Sequence, residues 1–183
     1  MKQEPTIRPA RQEDIPHLPA VELAASSLYA DRLEELGLGP LTLESMTQTD
    51  AFELALRMRM LWVAVDSDDR PIGFALAREV DGAAHLEELD VLPSHGRKGL
   101  GSALLARVCV WARENGYGAV TLSTFRDVPW NEPFYARRGF RTLRREELSA
   151  GLVHLLDIER ARGLRMDRRV LMRFETGADR LGT

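Results

Sequence analysis

A mixed α/β domain, with a mostly antiparallel central sheet flanked by helices, is what this sequence predicts, on three observations. Strand-like apolar runs follow one another from Leu61 to Leu92 with short turns between them. A strand, helix, strand passage then runs from His85 to Phe125, and runs with helical spacing bracket the whole. The 183 residues, 44% hydrophobic and 29% charged, suit a single globular domain over residues 1–183 with a core of its own.

Taken in order, Thr6-Ile7-Arg8-Pro9 reads as a short strand closed by proline. Asp14 then opens a helix with Ile15, Leu18, Val21, Ala25 and Leu28 on one face. Gly37, Gly39 and Pro40 mark residues 30–42 as a loop, and Leu43 to Met60 resumes helical spacing through Met46, Phe52, Ala55 and Met58. Leu61 to Val65, Ile72 to Val80 and His85 to Leu92 are strands, joined by turns over Asp66 to Pro71 and at Asp81-Gly82, and so form an antiparallel meander. Gly99 to Asn115 is a helix that Gly116 stops, and Ala119 to Phe125 is a strand. A crossover of this kind joins strands that point the same way, so those ending at Leu92 and starting at Ala119 are expected to be parallel. Phe134 to Arg138 makes a turn or two of helix and Phe140 to Leu143 a short strand. Leu148 to Arg162 is a helix stopped by Gly163, Arg169 to Phe174 the last strand, and the tail after Glu175 is expected to fray.

Composition excludes several classes of function. The one cysteine, Cys109, rules out an intramolecular disulfide, and its neighbours Val108, Val110 and Trp111 suit a packing residue rather than a nucleophile. Residues 1–95 hold 8 Lys+Arg against 18 Asp+Glu, a net of -10, whereas 11 arginines fall between 137 and 173. The basic part is interrupted by acids, so no concentrated face for a phosphate backbone is expected and nucleic acid is not the expected partner. Neither a signal-peptide stretch at the N-terminus nor an uncharged apolar run of membrane-span length is present, which makes the cytoplasm the expected location and gives no membrane partner. His17, His85, His95 and His154 are scattered without ligand spacing, so no metal site is expected. Trp62 and Trp111 read as core residues, whereas Trp130 either lines a site or packs.

The segment with most chemical content is the turn Gly96-Arg97-Lys98-Gly99-Leu100-Gly101, which lies between a strand ending at Leu92-Pro93 and a helix. Free N–H groups at a helix N-terminus form an anion site. Gly99 and Gly101 let the backbone approach a pyrophosphate, and Arg97 and Lys98 add positive charge. No G-x-x-x-x-G-K-[ST] is present, and Leu104 stands where a dinucleotide fingerprint needs its third glycine, so P-loop and dinucleotide readings are disfavoured.

The run Leu89 to Leu105, including Leu89, Val91, Pro93, Gly96, Gly99, Gly101 and Ser102, resembles the central motif of the GCN5-related N-acetyltransferases, Arg/Gln-x-x-Gly-x-Gly/Ala after Val-x-Pro. Gly96 occupies the Arg/Gln position, with Arg97 one place later. Asn131-Glu132-Pro133-Phe134-Tyr135-Ala136-Arg137-Arg138-Gly139-Phe140 is similar to a second motif of that family, and the resemblance covers residues 60–142. It implies a sheet splayed at its parallel pair around acetyl-CoA, with direct attack of an amine on the thioester. It also implies coenzyme contacts from the backbone of Leu89 and Val91 and from Gly96, Arg97, Lys98, Gly99, Gly101 and Ser102. By the same resemblance Tyr135 is the acid that protonates the coenzyme A sulfur, and Asn131 contacts the pantetheine or caps the short helix. Glu87, then His85, then Glu88 are the candidates for the base. Dimers are common in the family. The acceptor is an amine of a small molecule or peptide, and an acidic entrance at Glu34, Glu35 and Glu44 fits a polyamine, an aminoglycoside, a lysine or a protein N-terminus alike. The competing reading is a non-catalytic acyl-CoA sensor. A toxin acting on charged tRNA would require a more basic surface than this.

Overall fold

Long apolar strands set the frame of the computed structural model, which describes residues 6–177. The chain packs as two compact units, each assembled from separate stretches: 6–31, 40–78 and 87–108 in the first, 32–39, 79–86 and 109–177 in the second.

In the first unit β1 (Thr6–Pro9) pairs antiparallel with β2 (Leu61–Val65), Ile7 opposite Ala64. β2 pairs antiparallel with β3 (Pro71–Val80), Val63 opposite Phe74. All five residues of β2 are buried, so it reads as one apolar run without alternation, as expected of a strand covered on both faces. Phe52, on α3 (Thr49–Arg57), meets Phe74 edge to face at 5.3 Å, and both are fully buried.

The entry to this unit differs from the sequence expectation. In place of one helix from Asp14, a 3-10 turn over Gln12–His17 precedes α1 (Leu18–Ser26), and a second 3-10 stretch, Ser27–Arg32, follows. Pro16 lies inside the first turn and has no N–H to donate, so regular helix begins only at Leu18, where Pro19 is tolerated in the first turn. Leu28 falls past the helix end and is 48% exposed. Similarly, residues 43–60 split into the 3-10 turn Leu43–Ser45 and α3, and Met58 is 56% exposed.

The second unit contains the parallel pair. Ala84, His85 and Leu86 of β4 (Ala83–Val91) lie opposite Val120, Thr121 and Leu122 of β5 (Ala119–Phe125). β7 (Arg169–Glu175) runs antiparallel to β5 along its whole length, and β6 (Arg141–Thr142) adds to β7. The strand order is β1-β2-β3-β4-β5-β7-β6, so the sheet is mixed and mostly antiparallel, as expected. The β3-β4 turn is carried by Asp81 and Gly82, both at positive φ. α4 (Leu100–Glu114) ends at Gly116, whose φ is +80°, and α6 (Ala150–Ala161) is capped by Ser149 and stopped by Gly163.

Residues 33–36, expected as loop, form the single-turn helix α2 (Leu33–Leu36), and Leu36 is fully buried. The tail is tied down where it is described: the Thr176 N–H donates to Gly118 O and its hydroxyl to Tyr117 O. Residues 178–183 lie outside the described ones. No helix among the described residues is long and apolar enough to cross a membrane.

Gly37 ends α2 at φ +71°, and a Cβ there would lie 2.3 Å from Gly163 O and 2.8 Å from Arg165 N. Gly37→Ala is therefore expected to cost about 2 kcal/mol or more through clash and unfavourable φ, read as a lower urea midpoint with unchanged m-value.

Candidate functional site

The site is built first on the strand-to-helix turn of the first unit. After β4, Pro93–His95 makes a 3-10 turn in which His95 N donates to Leu92 O and Gly96 N to Pro93 O. Arg97 then adopts φ +58° and Gly99 φ +84°. Two left-handed residues so close together reverse the chain and start α4, and the Ala103 N–H donates to Gly99 O at 3.0 Å.

Leu100 and Gly101 lie in the first turn of α4, where no carbonyl of the helix itself can accept an N–H, which is the backbone chemistry of an anion site. A Cβ on Gly99 would meet nothing within 4 Å, so glycine is required there by backbone conformation rather than by crowding. Arg97 holds a left-handed conformation that costs a non-glycine residue about 1 kcal/mol, and it retains its guanidinium in the turn. Lys98 Nζ donates to Ser94 O at 3.1 Å, and Ser94 Oγ lies 3.1 Å from His95 Nδ1.

The preceding strand carries the acids. Leu89 and Val91 are half-buried, and β3 approaches this end of β4 closely: a Cβ on Gly73 would lie 2.7 Å from Asp90 O. Glu87 is exposed and pairs with Arg78 Nε at 3.2 Å, and Glu88 is half-buried. Asp90 and Glu22 are acids that the sequence reading passed over. Glu22, on α1, is 7% exposed and takes the Thr47 N–H on both carboxylate oxygens at 3.0 Å. Asp90 Oδ2 is sealed from solvent and accepts no hydrogen bond from the described residues. Burial, and then the Glu22 charge, hold the Asp90 carboxyl well above the usual carboxylate range. Burial also raises Glu22, against the lowering effect of its bonds to Thr47. The signal for Glu22 was there to be read, because it lies four residues after Leu18 on the stripe that Val21 and Ala25 share.

The other candidates belong to the second unit. His85 is 4% exposed, and its Nδ1 is 2.9 Å from Thr121 Oγ1, its partner across the parallel pair. Tyr135 is buried on α5 (Glu132–Ala136), edge to face with Phe134 at 5.0 Å and with Phe140 at 5.8 Å. Arg138 lies over the Phe134 ring at 3.7 Å and donates to Phe134 O. Asn131 is buried and caps α5 through its backbone carbonyl, which accepts from the Phe134 and Tyr135 N–H groups; its side chain makes no capping bond.

Outside these groups, Glu35 is engaged by Arg32 at 2.8 Å and Arg168 at 3.5 Å, all in the second unit, whereas Glu44 belongs to the first. Trp62 and Trp111 are buried and Trp130 is exposed. Cys109 is half-buried and burial pushes its thiol up to about 11, which suits packing rather than nucleophilic chemistry. No group of three or more potential ligands that could hold a metal ion occurs among the described residues.

Comparison with known proteins supplies a context for this geometry. Residues 26–140 match the model of the acetyltransferase (GNAT) family. An uncharacterized N-acetyltransferase of Bacillus subtilis, YjcF, is 31% identical over 94 residues, which is 51% of this chain and 65% of that relative's own length. Among solved structures, the PaiA N-acetyltransferase of Thermoplasma acidophilum in complex with coenzyme A superposes with a TM-score of 0.69 at 17% identity, over 94% of this chain and 99% of that one. The ribosomal-protein-S18-alanine N-acetyltransferase of Escherichia coli gives 0.67 at 17% identity, over 98% and 99%.

Two outcomes follow from the site's physics alone. A carboxyl whose folded pKa is raised takes up its proton more readily folded than unfolded, so its unfavourable effect grows as pH rises from the unfolded carboxylate range toward the raised value. Asp90→Asn is therefore expected to stabilise the protein more at pH 8 than at pH 4, read by urea unfolding at both; an equal effect at the two pH values would contradict the raised carboxyl. Gly73→Ala is expected to destabilise by about 1–3 kcal/mol, because the new methyl meets backbone that cannot rotate away, and chemical denaturation measures it.

Proposed function

This chain belongs to the acetyltransferase (GNAT) family, and we propose that it transfers the acetyl group of acetyl-CoA to an amine by direct attack, without a covalent enzyme intermediate. The observation that carries the reading is the turn after β4. Its left-handed Arg97 and Gly99 start a fifteen-residue helix whose first-turn amides face outward, an arrangement made for a pyrophosphate. PaiA was solved with coenzyme A bound, which supports the same ligand here.

In this reading the pyrophosphate rests on the backbone from Gly96 to Ser102, with Arg97 and Lys98 supplying charge. The backbone of Leu89 and Val91 pairs with the pantetheine as an added strand would. Asn131 contacts the same arm, and its buried place is compatible with that.

The chemistry sets three further requirements. An alkylamine with a pKa of about 10 is mostly protonated at neutral pH and must lose a proton before it attacks. The tetrahedral oxyanion needs an N–H donor, which the backbone near Val91 supplies. The thiolate leaves with a proton, for which Tyr135 is the assigned donor; its aromatic neighbours Phe134 and Phe140 fix the ring. Of the strand candidates for the base, Glu87 is the most accessible, and Arg78 competes with a substrate ammonium for it. The acceptor is a primary amine of a small molecule or peptide. The Escherichia coli neighbour is named for an alanine of ribosomal protein S18, which is one instance of such a group.

Calorimetry with acetyl-CoA tests the cofactor: micromolar binding is expected for the wild type and loss of it in the Gly99→Trp, Gly101→Trp double variant, whereas no binding by the wild type would remove the transferase reading. Tyr135→Phe is expected to lower kcat about tenfold or more with little change in acetyl-CoA affinity, measured by thiol release. Unchanged turnover would take the acid role from Tyr135.

A further inference from the structure

Helix α6 of the second unit buries little of itself. Among its described residues Leu152 alone is buried; Leu155, Leu156 and Ile158 are half-buried, and Val153 is 45% exposed. α4, by comparison, buries Leu104, Leu105, Val108 and Ala112 along one stripe. Helices in proteins hold mainly by packing an apolar face, and the twelve residues of α6 are too few to stay helical in water on propensity alone. What keeps α6 in place is therefore polar contact more than burial.

Those contacts lie near its two ends. At the N-terminus the β3-β4 turn reaches the helix, where Asp81 Oδ2 accepts the Gly151 N–H at 2.6 Å. That N–H belongs to the first turn and has no carbonyl of the helix to bond, so the carboxylate supplies its acceptor and a negative charge at the positive end of the helix. The fit is close, since a Cβ on Gly151 would lie 2.7 Å from that oxygen and 2.8 Å from Val80 Cγ1. Towards the C-terminal end Glu159 accepts from Arg169 Nε at 2.9 Å, Arg169 Nη2 at 2.5 Å and Ser123 Oγ at 3.1 Å. Beyond Gly163, Arg165 N donates to Leu36 O at 3.1 Å.

We propose that α6 is a latched flap: residues 149–162 lift from β5 and β7 as one unit while the sheet stays folded, and Asp81 is the latch on the N-terminal end. Local opening is easier than global unfolding because it exposes little apolar surface beyond Leu152. Lifting α6 carries Glu159 away from Ser123 and Arg169. Those two stay 2.9 Å apart on β5 and β7, with the guanidinium 4.5 Å above the Phe125 ring, but they lose their carboxylate. Opening thus turns a neutralised patch into a cationic one beside the strand of the parallel pair. The device belongs to the fold of the second unit and does not depend on the acetyltransferase reading.

Amide hydrogen exchange of the full chain, followed by NMR over a series of low urea concentrations, tests this in wild type, Asp81→Gly and Glu159→Gln. Glycine keeps the positive φ of Asp81 and removes only the carboxylate. In the wild type the amides of Val153 to Arg162 are expected to share one opening constant, about 100-fold or more above that of the slowest β5 and β7 amides and with a weaker urea dependence. The latch is lost in local opening and in global unfolding alike. Asp81→Gly is therefore expected to speed exchange in α6 and in the two strands by the same factor, about fivefold, and Glu159→Gln to do likewise. Exchange of α6 at the rate and urea slope of the slowest strand amides overturns the flap, as does protection graded inward from the helix ends. Strands accelerated in Asp81→Gly with α6 unmoved overturn the latch. Should Asp81→Gly fail to fold, the wild type and Glu159→Gln decide by the same criteria.

Discussion

The turn between β4 and α4 is the constraint on which the functional reading depends. A strand must stop, reverse and start a fifteen-residue helix within a few residues, and the chain manages this with left-handed backbone at Arg97 and Gly99. The same reversal places at the turn the first amides of α4, for which the helix itself has no carbonyl. In the proposed reading an anion site is thus a by-product of how the turn is made. Arg97 is informative here, since a glycine would adopt its φ at no steric cost. Its presence trades backbone ease for a cationic side chain, which the proposed reading sets beside the pyrophosphate.

Acids shape the other half of the account. Glu87, exposed and paired with Arg78, is an ordinary surface carboxylate, whereas Asp90 and Glu22 are withdrawn from water and act on each other. Burial disfavours the charged form and so pushes both carboxyls up. His85, in contrast, is spent on Thr121 within the second unit's sheet.

How much of this was legible in the sequence follows the range of the forces involved. The meander and the crossover were readable because apolar runs, the Asp81-Gly82 turn and the stops at Gly116 and Gly163 act locally. Helix ends were less so. Pro16 divides the first helical run, and the Gly37, Gly39 and Pro40 cluster hides the single turn of α2, whose one strong requirement is burial of Leu36. Leu28 and Met58 keep helical spacing yet lie beyond the helix ends, so they are exposed. The turn before α4 was legible because Gly99 answers a backbone need, with φ +84°. The burial of Asp90 was not, since on a strand with Glu87 and Glu88 it reads as one more solvated acid, and its burial comes from tertiary packing that the local pattern does not carry.

The most direct check of the central claim is an amide nitrogen–proton NMR titration with coenzyme A. If the turn is the pyrophosphate site, the largest shifts fall on the amides of Arg97 to Ser102, with a second group at Leu89 to Val91. Saturable binding that leaves those amides in place, with shifts concentrated elsewhere, would contradict it.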